Sequence, residues 1–76
     1  MASKGRVNIQ DQFLNQVRKE RIKVRIELIN GKEFEGSINS FDNFCIVLKD
    51  KKVLLVYKHS ISTITPLAGA EKIELF

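Results

Sequence analysis

The chain has 76 residues, of which 43% are hydrophobic and 29% charged, a composition typical of one small globular domain and not of a disordered segment. No apolar run approaches the roughly 20 residues that a membrane-spanning helix needs. The N-terminus carries charges with no apolar stretch behind them, which argues against a secretory signal. The single cysteine, Cys45, can form neither an internal disulfide nor a zinc site, so we expect a cytoplasmic protein without a bound metal or cofactor.

Charge is distributed unevenly along the chain. Thirteen Lys and Arg against nine Asp and Glu give a net charge of +4, and residues 1–25 hold seven of the basic residues but two of the acidic ones. The basic cluster is densest over 18–25. Such a cluster favours a polyanionic partner, most commonly nucleic acid. A solvated helix end without a partner explains the same charges equally well.

The length of the chain predicts self-association. A domain of this size buries only about 60% of the surface that its unfolded chain exposes and is marginally stable alone. Disulfides, metals and association between copies are the usual remedies, and the first two lack ligands here.

The sequence divides into a flexible basic N-terminus (1–7), one domain (8–66) and a short C-terminal tail (67–76).

Residues 8–21 predict one helix. Asn8 is a suitable N-cap, Asp11 lies in the first turn, and basic residues crowd the last turn, as the helix dipole favours. A helix this short is marginal in isolation, so its apolar stripe must dock on the rest of the domain. The stripe consists of Ile9, Phe13, Leu14 and Val17.

After Ile22 the apolar period changes from about 3.6 to about 2 residues, which predicts strands over 24–29, 33–38, 44–49, 53–57 and 61–65. Asn30-Gly31 predicts a tight hairpin, and Gly36 inside a strand predicts a close backbone approach. One helix and five short strands predict a mainly β (α+β) fold, a strongly bent five-stranded antiparallel barrel. The predicted core is Val24, Ile26, Leu28, Phe34, Ile38, Ile46, Leu48, Leu55, Ile61 and Ile64.

Catalysis has little support in the sequence. There is one histidine, no phosphate-binding glycine loop and no zinc-protease motif. Cys45 is expected to be a small packing residue, and Glu33 and Glu35 a solvated strand face. We therefore expect a protein that is not an enzyme.

Two segments favour binding of an unpaired base. Phe41-Asp42-Asn43-Phe44 is a turn bounded by aromatic rings, and Lys58-His59 places a cation and an imidazole at a corner between strands. Rings stack on bases, and amides, lysine and imidazole bond base edges, phosphate or ribose. The alternative is that Phe41 and Phe44 belong to the core, Asn43 only forms the turn, and Lys58-His59 is an exposed corner.

Four segments, Asn8–Asn15, Leu28–Gly31, Ser40–Phe44 and Val56–Thr63, carry a family resemblance. Over about residues 8–66 the chain resembles the Hfq family, the bacterial RNA chaperones of the Sm/LSm family. The Tyr-Lys-His-x-Ile-Ser-Thr segment gives the resemblance most of its specificity. It implies a helix packed on a bent Sm-like barrel. It also implies a homohexameric ring, closed by pairing the fourth strand of one copy with the fifth strand of the next.

The resemblance also implies where RNA binds. The helix-bearing face, called proximal, is expected to bind U-rich single-stranded RNA: a base stacks on Phe44, Lys58 and Gln10 bond the uracil edge, and His59 reaches the backbone or ribose. The proximal residues are Gln10, Phe41, Asn43, Phe44, Lys58 and His59. A basic rim is expected to hold RNA backbone and to help small regulatory RNAs anneal with mRNAs. The rim residues are Asn15, Arg18, Lys19 and Arg21.

The opposite face, called distal, departs from the family pattern. Family members usually place an aromatic residue at Glu27 and an apolar residue at Lys32, where adenines stack, and many place a glutamine at Leu54. Asn30 and Gly31 match the pattern. Glu27, Glu33 and Glu35 are expected to share the outward side of two strands and to repel phosphate, so we expect weak or altered binding of A-rich RNA.

The tail is a second departure, since only about ten residues follow Pro66. The RNA release that a long, acidic-tipped tail assists in some relatives is not expected here. Proteins of RNA decay or translation are further implied partners. An alternative function remains open: a ring-forming protein-interaction scaffold with reduced RNA binding, which the acidic distal face would serve.

Overall fold

A computed structural model describes residues 8–74. The elements are helix α1 (Ile9–Lys19) and strands β1 (Lys23–Leu28), β2 (Glu33–Phe41), β3 (Cys45–Lys49), β4 (Val53–Tyr57) and β5 (Ile61–Pro66), with 3-10 turns at Lys58–Ser60 and Ala70–Lys72. The strands form an antiparallel sheet in the order β4-β3-β2-β1-β5. The predicted fold class, a helix followed by five antiparallel strands, is confirmed. The predicted flexible N-terminus (1–7) lies outside the described residues.

Helix α1 begins where its cap predicts and ends earlier than expected. The Asp11 N–H donates to the Asn8 side-chain oxygen at 3.1 Å, which satisfies one of the free amides of the first turn. The helix ends at Lys19, so the predicted end at residue 21 is wrong. Arg21 adopts a left-handed conformation with φ of +56°, and the Ile22 N–H donates to the Val17 carbonyl at 2.9 Å, which closes the helix end.

Two glycines carry the sharp geometry of the first hairpin. Gly31 has φ of +92° at the turn between β1 and β2, a conformation that glycine adopts without strain. At Gly36 a Cβ atom would lie 2.8 Å from the Lys49 carbonyl oxygen, so the predicted close approach is confirmed. The register shifts between Ile38 and Ser40 against β3, and such a bulge increases the local bend of the sheet.

The core lies between α1 and one side of the sheet. The buried apolar residues are Leu14, Val17, Ile22, Val24, Ile26, Ile38, Ile46, Leu48 and Val56, with Leu28, Phe34, Ile61 and Ile64 half-buried at its margin. The prediction of Leu55 as a core residue is wrong: it is 56% exposed, and Val56 is buried instead. Strand β4 is apolar on both sides, so its pairing with β3, in which Val56 lies opposite Ile46, decides which side is buried.

The outer strands of the sheet are β4 and β5, and the outer edge of each is not paired with another strand among residues 8–74. Exposed apolar side chains, those of Val53, Leu55 and Tyr57, follow the β4 edge. Within residues 8–74 no helix is long and apolar enough to cross a membrane. The same residues hold no group of three or more His, Cys, Asp or Glu side chains that could bind a metal ion.

Candidate functional site

Three elements meet around a surface pocket of about 320 Å³. The first turn of α1, the loop between β2 and β3 and the 3-10 turn after β4 each contribute side chains. The pocket is lined by Gln10, Asn43, Phe44, Lys58 and His59. The structure thus brings together five of the six side chains predicted for the proximal site, although they are separated by up to 49 positions in the sequence.

Lys58 is held in place by the pocket wall. Its side chain is 12% exposed, and its ammonium donates to the Gln10 side-chain oxygen at 3.1 Å. The same nitrogen lies 4.0 Å from a carboxylate oxygen of Asp11 and 5.5 Å from the centre of the Phe41 ring. A cation over a ring face is attracted by the ring quadrupole. Phe41, the sixth predicted residue, therefore supports Lys58 from beside the pocket.

The loop before β3 presents Phe44 to solvent. The Asp42 carboxylate accepts hydrogen bonds from the N–H groups of Phe44 and Cys45, each at 2.8 Å, and the Lys58 N–H donates to the Phe44 carbonyl at 2.8 Å. These two amides, with a contribution from the charge of Lys58, lower the pKa of Asp42 below its ordinary value of 3.8. With its backbone held on both sides, Phe44 keeps a side chain that is 71% exposed.

Asp42 is the residue that the sequence interpretation did not assign. The sequence does contain a signal for its role. Aspartate is typical of Asx turns, in which its side chain accepts a hydrogen bond from the backbone N–H two residues later. The alternative interpretation, in which both aromatic residues belong to the core, is wrong for Phe44 and holds in part for Phe41, which is half-buried against the core. Cys45 is half-buried at the start of β3, and its predicted packing role stays a prediction.

The predicted basic rim lies at the end of α1. The Arg18 guanidinium donates to the Asn15 side-chain oxygen at 3.2 Å, and Lys19 and Arg21 are exposed. A groove of about 560 Å³ runs beside them. It is lined by Arg18, Arg21, Ser37, Ile38, Asn39, Lys49 and Asp50. Lys49 is a basic residue that the sequence interpretation left out, because only the pairing of β2 with β3 brings it beside the helix end.

Comparison with known proteins decides the family. The family model described as "Hfq protein" matches residues 9–71. The chain belongs to the Hfq family. An "RNA-binding protein Hfq" of Desulforamulus reducens is 58% identical over 66 residues, covering 86% of this chain and 82% of that protein. Another of Caldanaerobacter subterraneus is 50% identical over 78 residues, covering 93% and 91%.

Solved structures agree with this membership. A crystal structure of "the pleiotropic translational regulator, Hfq" superposes with a TM-score of 0.74 at 36% identity, covering 76% of this chain and 98% of that one. An Hfq protein from Anabaena sp. superposes with a TM-score of 0.71 at 23% identity, covering 75% and 93%, and shows the same fold.

The outward side of the β1–β2 pair, predicted to be part of the distal face, carries a ladder of acidic side chains with one arginine. Glu27 lies directly across from Glu33, and Arg25 across from Glu35, so these side chains share one side of the β1–β2 pair as predicted. Arg25 approaches Glu35 at 3.0 Å and Glu33 at 3.9 Å.

The remaining residues considered for this distal face lie around the hairpin and at β4. The Asn30 side-chain oxygen accepts a hydrogen bond from the Lys32 N–H at 3.0 Å, so Asn30 serves the turn at Gly31. Lys32 is exposed. Leu54 lies half-buried opposite Leu48, on the core side of β4.

Proposed function

We propose that this Hfq-family chain is a cytoplasmic RNA chaperone that binds U-rich single-stranded RNA at the proximal pocket and promotes annealing of small regulatory RNAs with mRNAs at its basic rim. The observation that carries the proposal is the convergence of an exposed aromatic ring, a fixed lysine, an amide and an imidazole on one pocket. The names of its relatives, RNA-binding proteins, support the same class of partner.

In the proposed pocket, the Phe44 ring stacks on a base, a contact worth about 1–3 kcal/mol per base. Lys58 and Gln10 are hydrogen-bonded to each other in the free protein. When RNA binds, these side chains give up part of that hydrogen bonding and bond the edge of the uracil instead. His59 is exposed beside them, and its ring lies 5.9 Å from that of Tyr57, which limits where the imidazole can reach the ribose or phosphate. Because the Lys58 side chain and the Phe44 backbone are held in place before RNA arrives, less conformational entropy is lost on binding than for a mobile loop.

A ring of six copies would complete this arrangement. No described strand pairs with the outer edges of β4 and β5, and exposed strand edges in proteins are normally covered. Pairing β4 of one copy with β5 of the next would cover Val53, Leu55 and Tyr57 and close the ring. Six pockets would then surround one pore, and the assembly would carry about +24 charges, which attract RNA.

The rim would act on a second RNA without covalent chemistry. Two RNAs held on one ring have a high effective concentration for each other. Arg18 and Arg21, with Lys49 beside them, would screen phosphate repulsion as the first base pairs form.

On the distal face we propose weak or altered binding of A-rich RNA. Carboxylates repel phosphate, and the glutamate at position 27 has no ring on which an adenine could stack. Arg25 neutralises part of this ladder, which leaves a net negative charge on the side chains of Arg25, Glu27, Glu33 and Glu35.

The alternative, a ring-forming protein-interaction scaffold with reduced RNA binding, is favoured by the same acidic ladder. The assembled pocket at Lys58 favours the chaperone. The salt dependence of oligo-U binding separates the two, because a protein that contacts phosphates loses affinity steeply as salt rises. Light scattering first establishes the oligomeric state of the sample. We then expect the logarithm of the oligo-U affinity to fall clearly as the logarithm of the salt concentration rises. Absent binding, or binding that does not respond to salt, would favour the scaffold.

A further inference from the structure

The C-terminal tail folds back onto the domain. The Leu67 N–H donates to the Lys23 carbonyl at 2.9 Å, which extends the pairing of β5 with β1 past Pro66. Gly69 then turns the chain with φ of +79°, close to Ile22, where an added Cβ would lie 3.4 Å from the Ile22 side chain. The tail therefore leaves the sheet at a defined point and heads toward α1.

The end of the tail is bonded to the helix. The Lys72 and Ile73 N–H groups donate to the carbonyls of Gly69 and Ala70 at 2.9 and 3.0 Å, and Ile73 packs against the core. The Gln16 side chain then forms a reciprocal amide pair with the backbone of Glu74: it donates to the Glu74 carbonyl and accepts from the Glu74 N–H.

Helix geometry separates this contact from the basic rim. Successive residues of an α-helix turn by about 100°, so Gln16 and Arg18 point about 160° apart. Gln16 lies on the side of α1 that continues through Glu20. Arg18, bonded to Asn15, lies on the other side and lines the rim groove.

We propose that residues 67–74 form a docked strap whose seat is the flank of α1 around Gln16, and that this strap closes the core without covering the rim. The occupant of this flank is the chain's own C-terminal segment, since Ile73 fills the apolar part and the backbone of Glu74 satisfies the amide of Gln16.

Hydrogen exchange of the full-length protein tests the strap. The amides of Lys72, Ile73 and Glu74 are expected to exchange at least about tenfold more slowly than in an unstructured peptide. Gln16→Ala is expected to remove most of the protection at Glu74, while the favourable helix propensity of alanine keeps α1 intact. The matched control is Gln12→Ala, one turn earlier, whose side-chain oxygen has no hydrogen-bond partner among the described residues.

Two results would overturn the strap: unprotected amides in the unmodified protein, or equal loss of protection in Gln12→Ala and Gln16→Ala. The second half of the proposal, that the rim stays uncovered, rests on the proposed function. There Gln16→Ala is expected to leave the RNA annealing rate within about twofold, and a change of tenfold would contradict it. If the unmodified protein anneals no RNA, the proposed function fails while the exchange result still decides whether the strap docks.

Discussion

The pocket face and the acidic face of this domain are built from the same short barrel, yet they use charge in opposite ways. On the pocket face Lys58 donates to the neutral side-chain oxygen of Gln10 at 3.1 Å and lies 4.0 Å from the Asp11 carboxylate, next to the exposed ring of Phe44. On the acidic face Arg25 forms ion pairs with two glutamates, Glu33 and Glu35. Strand pairing alone therefore does not decide what a surface can bind. The two faces differ in the group that holds the cation, which is a neutral amide oxygen at 3.1 Å from Lys58 and a carboxylate oxygen at 3.0 Å from Arg25.

The largest expected effect is on stacking at the pocket. Phe44→Ala removes the exposed ring and is expected to weaken oligo-U binding by about 1–3 kcal/mol, measured by fluorescence anisotropy. The matched control is Ile29→Ala, which truncates an equally exposed apolar side chain at the β1–β2 hairpin. Equal losses in the two variants would contradict a specific role for the ring.

The rim tests whether the pocket and the annealing site are separate. The double variant Arg18→Ala with Arg21→Ala is expected to slow annealing of two complementary RNAs about tenfold, because phosphate repulsion is no longer screened. Oligo-U affinity is expected to fall by less than about threefold. Lys51→Ala with Lys52→Ala removes the same charge from the β3–β4 turn and serves as the control. An unchanged annealing rate in the rim variant would show that the rim assignment is wrong.

The distal face can be altered toward the pattern of the family. Glu27→Tyr adds a ring and removes one carboxylate, and is expected to raise oligo-A affinity about fivefold, short of a full stacking site because Glu33 and Glu35 remain. Glu27→Gln removes the charge without adding a ring. If Glu27→Gln raised the oligo-A affinity as much as Glu27→Tyr does, the negative charge of Glu27 alone would explain weak oligo-A binding. The missing aromatic ring would then not be its cause.

The smallest expected effect tests how Phe44 is positioned. Asp42→Ala removes the acceptor of two backbone N–H groups and is expected to weaken oligo-U binding about threefold through lost preorganisation. Asp42→Asn keeps the side-chain oxygen that accepts both bonds and is expected to bind nearly as well.

Because the pKa of Asp42 is lowered, its ionised form stabilises the loop at all pH values above 3.8 and this contribution is lost only as the pH falls through the lowered pKa. Equal binding by Asp42→Ala and the unmodified protein between pH 6 and 8 would remove this role.

Local patterns predicted most of the fold, and they failed where tertiary contacts decide. Asn8, Gly31 and Gly36 each have a local physical role that can be predicted from the sequence, and the structure bears all three out. The sequence predicts Leu55 in the core wrongly, because an apolar strand has no polar side to mark its orientation. It predicts a helix that includes Arg21, because nothing in the neighbouring residues indicates a positive φ.

The candidate site depended on both kinds of information. The family resemblance predicted the side chains of the pocket, but their convergence depends on contacts between distant segments, such as Lys58 with Gln10. The role of Asp42 and the position of Lys49 beside Arg18 follow from backbone geometry and strand pairing. Periodicity and composition carry no such information. The docking of the tail on Gln16 depends on a contact across 58 positions and has no sequence signal.

The contrast between the two faces is the central claim, and competition binding tests it most directly. Labelled oligo-U bound to the protein is challenged with unlabelled oligo-U and unlabelled oligo-A at two salt concentrations, and direct binding of labelled oligo-A is measured alongside. We expect oligo-U alone to compete, labelled oligo-A to bind weakly, and higher salt to weaken oligo-U binding. Tight binding of oligo-A that does not displace oligo-U would show a working distal face despite Glu27, and would contradict the account.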